Sequence, residues 1–213
     1  FTDAHPWLHW PRREDLRLLA ESGTTVAHCP TVFLRDGTLL HDLGSYMEAG
    51  IAIAIGTDTH PQNMLEEMRT AELMARAAAG PRHRCDTARV FHAATIGAAT
   101  LLGRDDLGRL AAGARADPVC CALAHPMMRP TRDPLRSLIH VAAERAVRDV
   151  WVDGRQVMAE GQVQTIDIAA AARAVSVQQD RIADAAAARD GDGAGFDGLV
   201  PPALPYGEAR RRP

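Results

Sequence analysis

Residues 51–60, IAIAIGTDTH, set five small or branched apolar residues directly before a glycine, a carboxylate and a histidine. Ile and Ala alternate there without one polar position, which is the pattern of a parallel strand covered on both faces. The strand then runs out into Gly56-Thr57-Asp58-Thr59-His60, so the side chains that carry chemistry emerge at its C-terminal end. In a parallel α/β barrel that is the end where reactive groups collect.

Upstream, residues 24–29 (TTVAHC) are β-rich and are closed by Pro30, which has no N–H to give to a sheet. Residues 11–22 and 39–49 carry helical patterns that stop at Gly23 and Gly50, and a third pattern over 64–79 stops at Gly80-Pro81. Helix, strand, helix, strand, helix with short links is the alternation that builds a parallel sheet or a barrel. Two such units do not close a barrel, and the chain opens on Phe1, so further sequence upstream is expected. Residues 86–103 read as helical, with Asp86 suited to cap the run.

Past residue 103 the texture changes. Residues 107–123 and 147–163 read as short strands, the second holding Asp153-Gly154, a dipeptide suited to a two-residue hairpin. Residues 135–146 can form a helix that returns to the main body, and 168–189 an Ala-rich helix. The expected organisation is a partial barrel over 1–103, a β-accessory over 104–165, a C-terminal helix over 166–189 and a flexible tail over 190–213.

Composition removes several classes of function. A formal charge of -3 and an aromatic content of 4% argue against nucleic acid as a partner. No apolar run approaches the roughly 20 residues that span a bilayer, so no membrane partner is expected. All 24 basic residues are arginine, which leaves no lysine for a Schiff base or a carbamylated metal bridge. Cys29, Cys85, Cys120 and Cys121 form no C-x-x-C pair and read as reduced thiols of a cytoplasmic protein.

Asp58 leaves a dry strand at its rim, where a divalent cation would compensate the desolvation of its carboxylate. Read without a metal, it turns the chain or caps the helix after Pro61. His28 at the end of the preceding strand can polarise a substrate or hold a leaving group; the alternative is an imidazole satisfied by backbone. His60 and the chain's only asparagine, Asn63, lie where they could reach the same mouth and touch substrate. Glu66 and Glu67 fall in a first helical turn, where the macrodipole favours acids in any case, so at least one is expected to be structural. His5, Trp7, His9 and Trp10 make either a lid or an aromatic plug. His41, His83, His92, His125 and His140 form no ligand-spaced pair and read as structural.

Four stretches in order, LLAESGTTVAHCPTVF, AGIAIAIGTDTHPQNMLEEMR, GRLAAGARADPVCCAL and VRDVWVDGRQVMAEGQV, resemble consecutive C-terminal landmarks of the cytosine deaminase-like and triazine hydrolase-like amidohydrolases. The resemblance covers roughly residues 12 to 165. It implies the C-terminal portion of a (β/α)8 TIM-type barrel with part of a small β-sandwich. It implies one zinc or iron ion, with Asp58 as the eighth-strand aspartate that binds it and His28 as the seventh-strand histidine facing the substrate. The family's H-x-H pair and its fifth- and sixth-strand histidines have no counterpart here, and Asp117-Pro118 suggests a disturbed or edge strand.

The function so implied is hydrolysis of a non-peptide C–N bond in a small nitrogen heterocycle by a metal-activated water, Asp58 carrying the proton. The alternatives are a non-catalytic fragment of such an enzyme, or a homo-oligomeric interaction module without the metal site.

Overall fold

Val26–His28 (β1) and Ile53–Ile55 (β2) pair in parallel, Val26 opposite Ile53 and His28 opposite Ile55. All three residues of β2 are buried, as an apolar run without a polar position requires. The computed structural model describes residues 14–38, 40, 43–80, 84–189, 191, 193 and 195–204. The chain divides into two units, Phe1–Gln162 and Val163–Pro213.

In the first unit Glu14–Ser22 (α1) precedes β1, and Pro30–Arg35 (α2) follows it at once. The second helix is absent from the sequence reading. Pro30 does end the strand, but a proline that cannot continue a sheet is also preorganised for a first helical turn, where no N–H is needed. Leu43–Glu48 (α3) leads to β2, and Met64–Ala79 (α4) follows it with the bounds that periodicity predicts. Thr87–His92 (α5), a π-helical turn Ala93–Gly97 and Ala98–Leu101 (α6) realise the helical run of 86–103. Asp86 caps it, accepting from the Arg89 N–H at 2.9 Å. Gly97 is the point of closest approach to the sheet, since a Cβ there would overlap the carbonyl oxygen of Ile53.

Ile51, Ile53, Ile55, Leu43, Met68, Ala71, Val90 and Ile139 form the core between these helices and the two strands. The buried face of α4 carries Met68, Ala71, Met74 and Ala75 together with Glu67 and Glu72.

The strand expectation over 107–123 contracts to Val119–Cys121 (β3). Gly108 and Gly113 adopt φ of 71° and 84°, and Pro118 has no N–H, so the stretch before β3 does not support a ladder. Val147–Val152 (β4), Arg155–Ala159 (β5) and Gln162–Val163 (β6) complete a sheet in the order β3-β4-β5-β6, which puts β3 at an edge. Asp153 and Gly154 turn β4 into β5 with φ of 50° and 79°, as the dipeptide predicts. The single helix expected over 135–146 is instead Pro134–Ser137 (α7), a π-helical turn Leu138–Ala142 and a 3-10 turn Ala143–Ala146. Ala143 interrupts it at φ 49°, a conformation that does not propagate a right-handed helix.

The second unit contains Ile168–Arg189 (α8), begun by Asp167, which accepts from the Ala170 N–H at 2.9 Å. Gly195–Leu199 (α9) is a short helix within the stretch expected to be a flexible tail.

One polar node joins the helices of the first unit. Glu72 on α4 is fully buried, yet it accepts from Thr87 Oγ1 at 2.9 Å, pairs with His140 Nε2 at 2.9 Å and forms an ion pair with Arg76. A buried carboxylate is tolerated only with such partners. Glu72→Ala should strand them and lower unfolding stability by about 3 kcal/mol. Glu66→Ala, which removes a partly exposed pair with Arg69, should cost under about 1 kcal/mol. Urea titration of both variants measures the difference.

Candidate active site

Parallel pairing brings the C-terminal ends of β1 and β2 side by side. The Gly56 N–H donates to the His28 carbonyl at 2.9 Å, so the register continues one residue past the strands and sets the two following loops against each other.

His28 is 2% exposed at the end of β1 and stacks on Phe33 of α2, with ring centroids 5.7 Å apart and planes at 24°. Burial lowers its pKa from 6.5 to about 4, so the ring is neutral near pH 7. Among the described residues nothing hydrogen-bonds the ring.

Asp58 has the opposite surroundings. It is exposed at a bend with φ 47°, and among the described residues no hydrogen bond or ion pair engages its carboxylate. It does turn the chain. It does not cap α4, because Asn63 does: Asn63 Oδ1 accepts from the Leu65 and Glu66 N–H groups at 3.1 and 3.3 Å. The Asn63 Nδ2 donates to Glu144 at 2.9 Å, so both ends of that amide are engaged. His60 is exposed, and its Nε2 accepts from Arg35 Nη1 at 2.8 Å, an arginine on α2 that also reaches Thr59 Oγ1 at 3.4 Å.

Three further side chains build this mouth, of which Arg35 is absent from the sequence reading and Glu67 is the first-turn acid with a structural role. Arg35 links the loop after β1 to the loop after β2. Glu67 is 1% exposed and accepts the Thr31 N–H at 3.0 Å, tying α4 to the start of α2. Cys29 stands 3.1 Å from where a Cβ at Gly56 would sit, so only glycine fits there without displacing the thiol. Burial first, then Asp58 and then Glu67, raises the Cys29 pKa and keeps the thiol protonated. The sole sequence signal for Glu67 was its place in a first helical turn; nothing local pointed to Arg35.

Two of the other described histidines have structural partners. His140 pairs with Glu72, and His125 Nδ1 accepts the Met127 N–H at 3.2 Å. His5, His9, Trp7, Trp10, His41 and His83 lie outside the described residues. All four cysteines are free thiols.

The chemistry of the donors suits a borderline divalent ion: an unpaired carboxylate at a strand end beside neutral imidazole. Asp58 fits as one ligand. Among the described residues no group of three or more His, Cys, Asp or Glu side chains converges to complete a site.

Comparison with known proteins places this geometry in context. The amidohydrolase family profile matches residues 5–157. The 5-methylthioadenosine/S-adenosylhomocysteine deaminase of Moorella thermoacetica is 33% identical over 159 residues, which is 72% of this chain and 37% of that protein. The enzyme of the same name from Haloarcula marismortui is 33% identical over 157 residues, 72% of this chain and 36% of its own length. The chain thus spans little more than a third of these curated relatives. An adenosine deaminase from Xanthomonas campestris, solved with bound zinc, superposes with TM-score 0.75 at 32% identity, over 80% of this chain and 40% of that one. Atrazine chlorohydrolase from Arthrobacter aurescens, also with zinc, gives TM-score 0.72 at 28% identity, over 78% and 38%. These likenesses imply a TIM-barrel type of fold.

Two outcomes follow from the site. Between its folded pKa near 4 and the unfolded 6.5, His28 binds a proton only in the unfolded state, so its contribution is intact above about pH 6.5 and lost towards pH 4. Across that window the wild type should lose about 3 kcal/mol more than a His28→Gln variant, read by urea unfolding at stepped pH. Second, the purified 213-residue chain should hold no stoichiometric zinc by metal analysis, because no three His, Cys, Asp or Glu side chains converge among the described residues.

Proposed function

Since the chain belongs to the amidohydrolase family, we propose that it is the C-terminal portion of a metal-dependent hydrolase of non-peptide C–N bonds, acting on an amino- or halo-substituted nitrogen heterocycle. The observation that carries the reading is the pairing of opposites at the two strand ends: an exposed Asp58 carboxylate and a buried, neutral His28 ring, neither hydrogen-bonded through its side chain among the described residues. A carboxylate that merely turned the chain would not need that company.

Zinc or iron is the proposed cofactor, and two zinc-bound structural relatives support a divalent ion. When bound, the metal supplies Lewis-acid activation of water at neutral pH. Asp58 would hold it through one carboxylate oxygen and keep the other free to take up a proton. His28, desolvated and neutral, offers one ring nitrogen to hydrogen-bond a substrate heteroatom without adding a charge to the pocket. His60 is proposed to act at the rim together with Arg35, and Asn63 to shape the loop between Asp58 and α4 as well as to face the mouth.

The partner is a small molecule, as the deaminase relatives support. The sheet β3-β4-β5-β6 is proposed as one part of a small β-sandwich beside the barrel, with residues 1–103 supplying barrel units and 104–165 the accessory. The antiparallel pairing of β3 with β4 and of β4 with β5, and the short edge strand β3, suit that role.

In the full-length enzyme Asp58→Ala should lower turnover by at least about a hundredfold and also strip the metal, since it removes both a ligand and a proton carrier. His28→Ala should lower turnover by about tenfold or more with metal retained. Metal content by mass spectrometry beside turnover on aminated purines, pyrimidines and triazines tests this. Full metal occupancy with normal turnover in the Asp58 variant would refute the assignment.

A further inference from the structure

The loop from Gly56 to Asn63 carries Asp58 on exposed backbone, so something must hold its far end. Its near end is tied to β1 through the Gly56 N–H and its middle to Arg35. The far end is Asn63, whose Oδ1 caps α4. Capping uses only the oxygen of an asparagine amide; the NH2 group is left over and points the other way. Glu144 Oε2 takes it, at 2.9 Å across 81 residues of chain.

That contact does more than add one bond. An asparagine amide can rotate to exchange its oxygen and nitrogen, and rotation here would aim a donor at the helix N–H groups and an acceptor at a carboxylate. Glu144 therefore selects the one orientation in which Asn63 caps α4. The Glu144 carboxylate is itself held: hydrogen bonds from its own backbone N–H and from Asn63 lower its pKa and keep it ionised. The backbone beside it is strained, because buried Ala143 sits at φ 49° with an L side chain, so the surrounding packing imposes this conformation. The same segment meets α4 a second time through His140 and Glu72, which makes residues 138–146 a brace along the helix that follows the Asp58 loop.

We propose that Glu144 is a positioning residue for the Asp58 loop, acting through the Asn63 amide. The catalytic consequence rests on the function proposed above; the mechanical one does not. The test uses the full-length protein that carries this chain and reads hydrogen exchange across residues 57–63, which include the Gln62 N–H bonded to the Thr59 carbonyl at 3.2 Å. Glu144→Ala should speed exchange there about fivefold and leave the Gly56 N–H unchanged. Glu144→Gln should restore wild-type exchange, because its amide oxygen still accepts from Asn63. Asn63→Asp keeps the cap but sets two carboxylates against each other, and should loosen residues 57–63 as Glu144→Ala does, even if the latter folds poorly. On a turned-over heterocycle, Glu144→Ala should lower kcat about tenfold with KM and metal content little changed, and Glu144→Gln should recover it. Unchanged exchange in Glu144→Ala and Asn63→Asp, or equal loosening in Glu144→Gln, would overturn the proposal. If the wild type turns over no heterocycle, the functional reading falls, while the exchange results still decide the role of Glu144.

Discussion

A carboxylate with no access to water must be answered by its neighbours, and Glu72 is answered from three directions. Thr87 lies on α5, His140 on the π-helical turn 138–142 and Arg76 one turn along α4 itself. Apolar burial alone would let these helices slide, because contacts between alanines, methionines and isoleucines are non-directional. The Glu72 network has direction, and it sets α4 against the rest at one azimuth. Glu67, one face of the same helix further towards its start, then fixes α2 through the Thr31 N–H.

The mouth inherits that registration. Because α4 follows the Asp58 loop and α2 follows His28, holding the two helices holds the two loops. The strands need little length for this; three paired residues each suffice once the helices are braced. The result is a pair of side chains with opposite solvation at the end of one ladder, His28 in its last pair and Asp58 three residues past Ile55. His28 is dry and neutral, whereas Asp58 is exposed to solvent. Burial keeps the His28 ring neutral, and Asp58 sits at a left-handed backbone position with φ 47°.

Parts of this were legible from residue order. The apolar run at 51–55, the glycine stops and the Asp153-Gly154 turn encode their own local geometry, and each is realised. The strand expected over 107–123 contracts because Gly108 and Gly113 at positive φ take up its first part in turns. The helix over 135–146 was read as one piece because periodicity does not register the kink at Ala143, a residue with high helix propensity that only packing forces to φ 49°. Asp58 and His28 stood out by their place at strand ends. Arg35, Glu67 and Glu144 did not, since each acts on a partner 24 to 81 residues away.

What the sequence determined by itself is the set of local commitments: where strands end, where helices start, which ends carry acid and imidazole, and the family to which these motifs point. Those follow from backbone sterics and periodicity, which act over a few residues. What only the tertiary structure decided is electrostatic and orientational: that His28 is neutral, that Asn63 rather than Asp58 caps α4, that Glu72 is buried yet answered, and that Glu144 sets the amide of Asn63. Solvation and hydrogen-bond partnership depend on which surfaces meet in space, and that is a property no window along the chain contains.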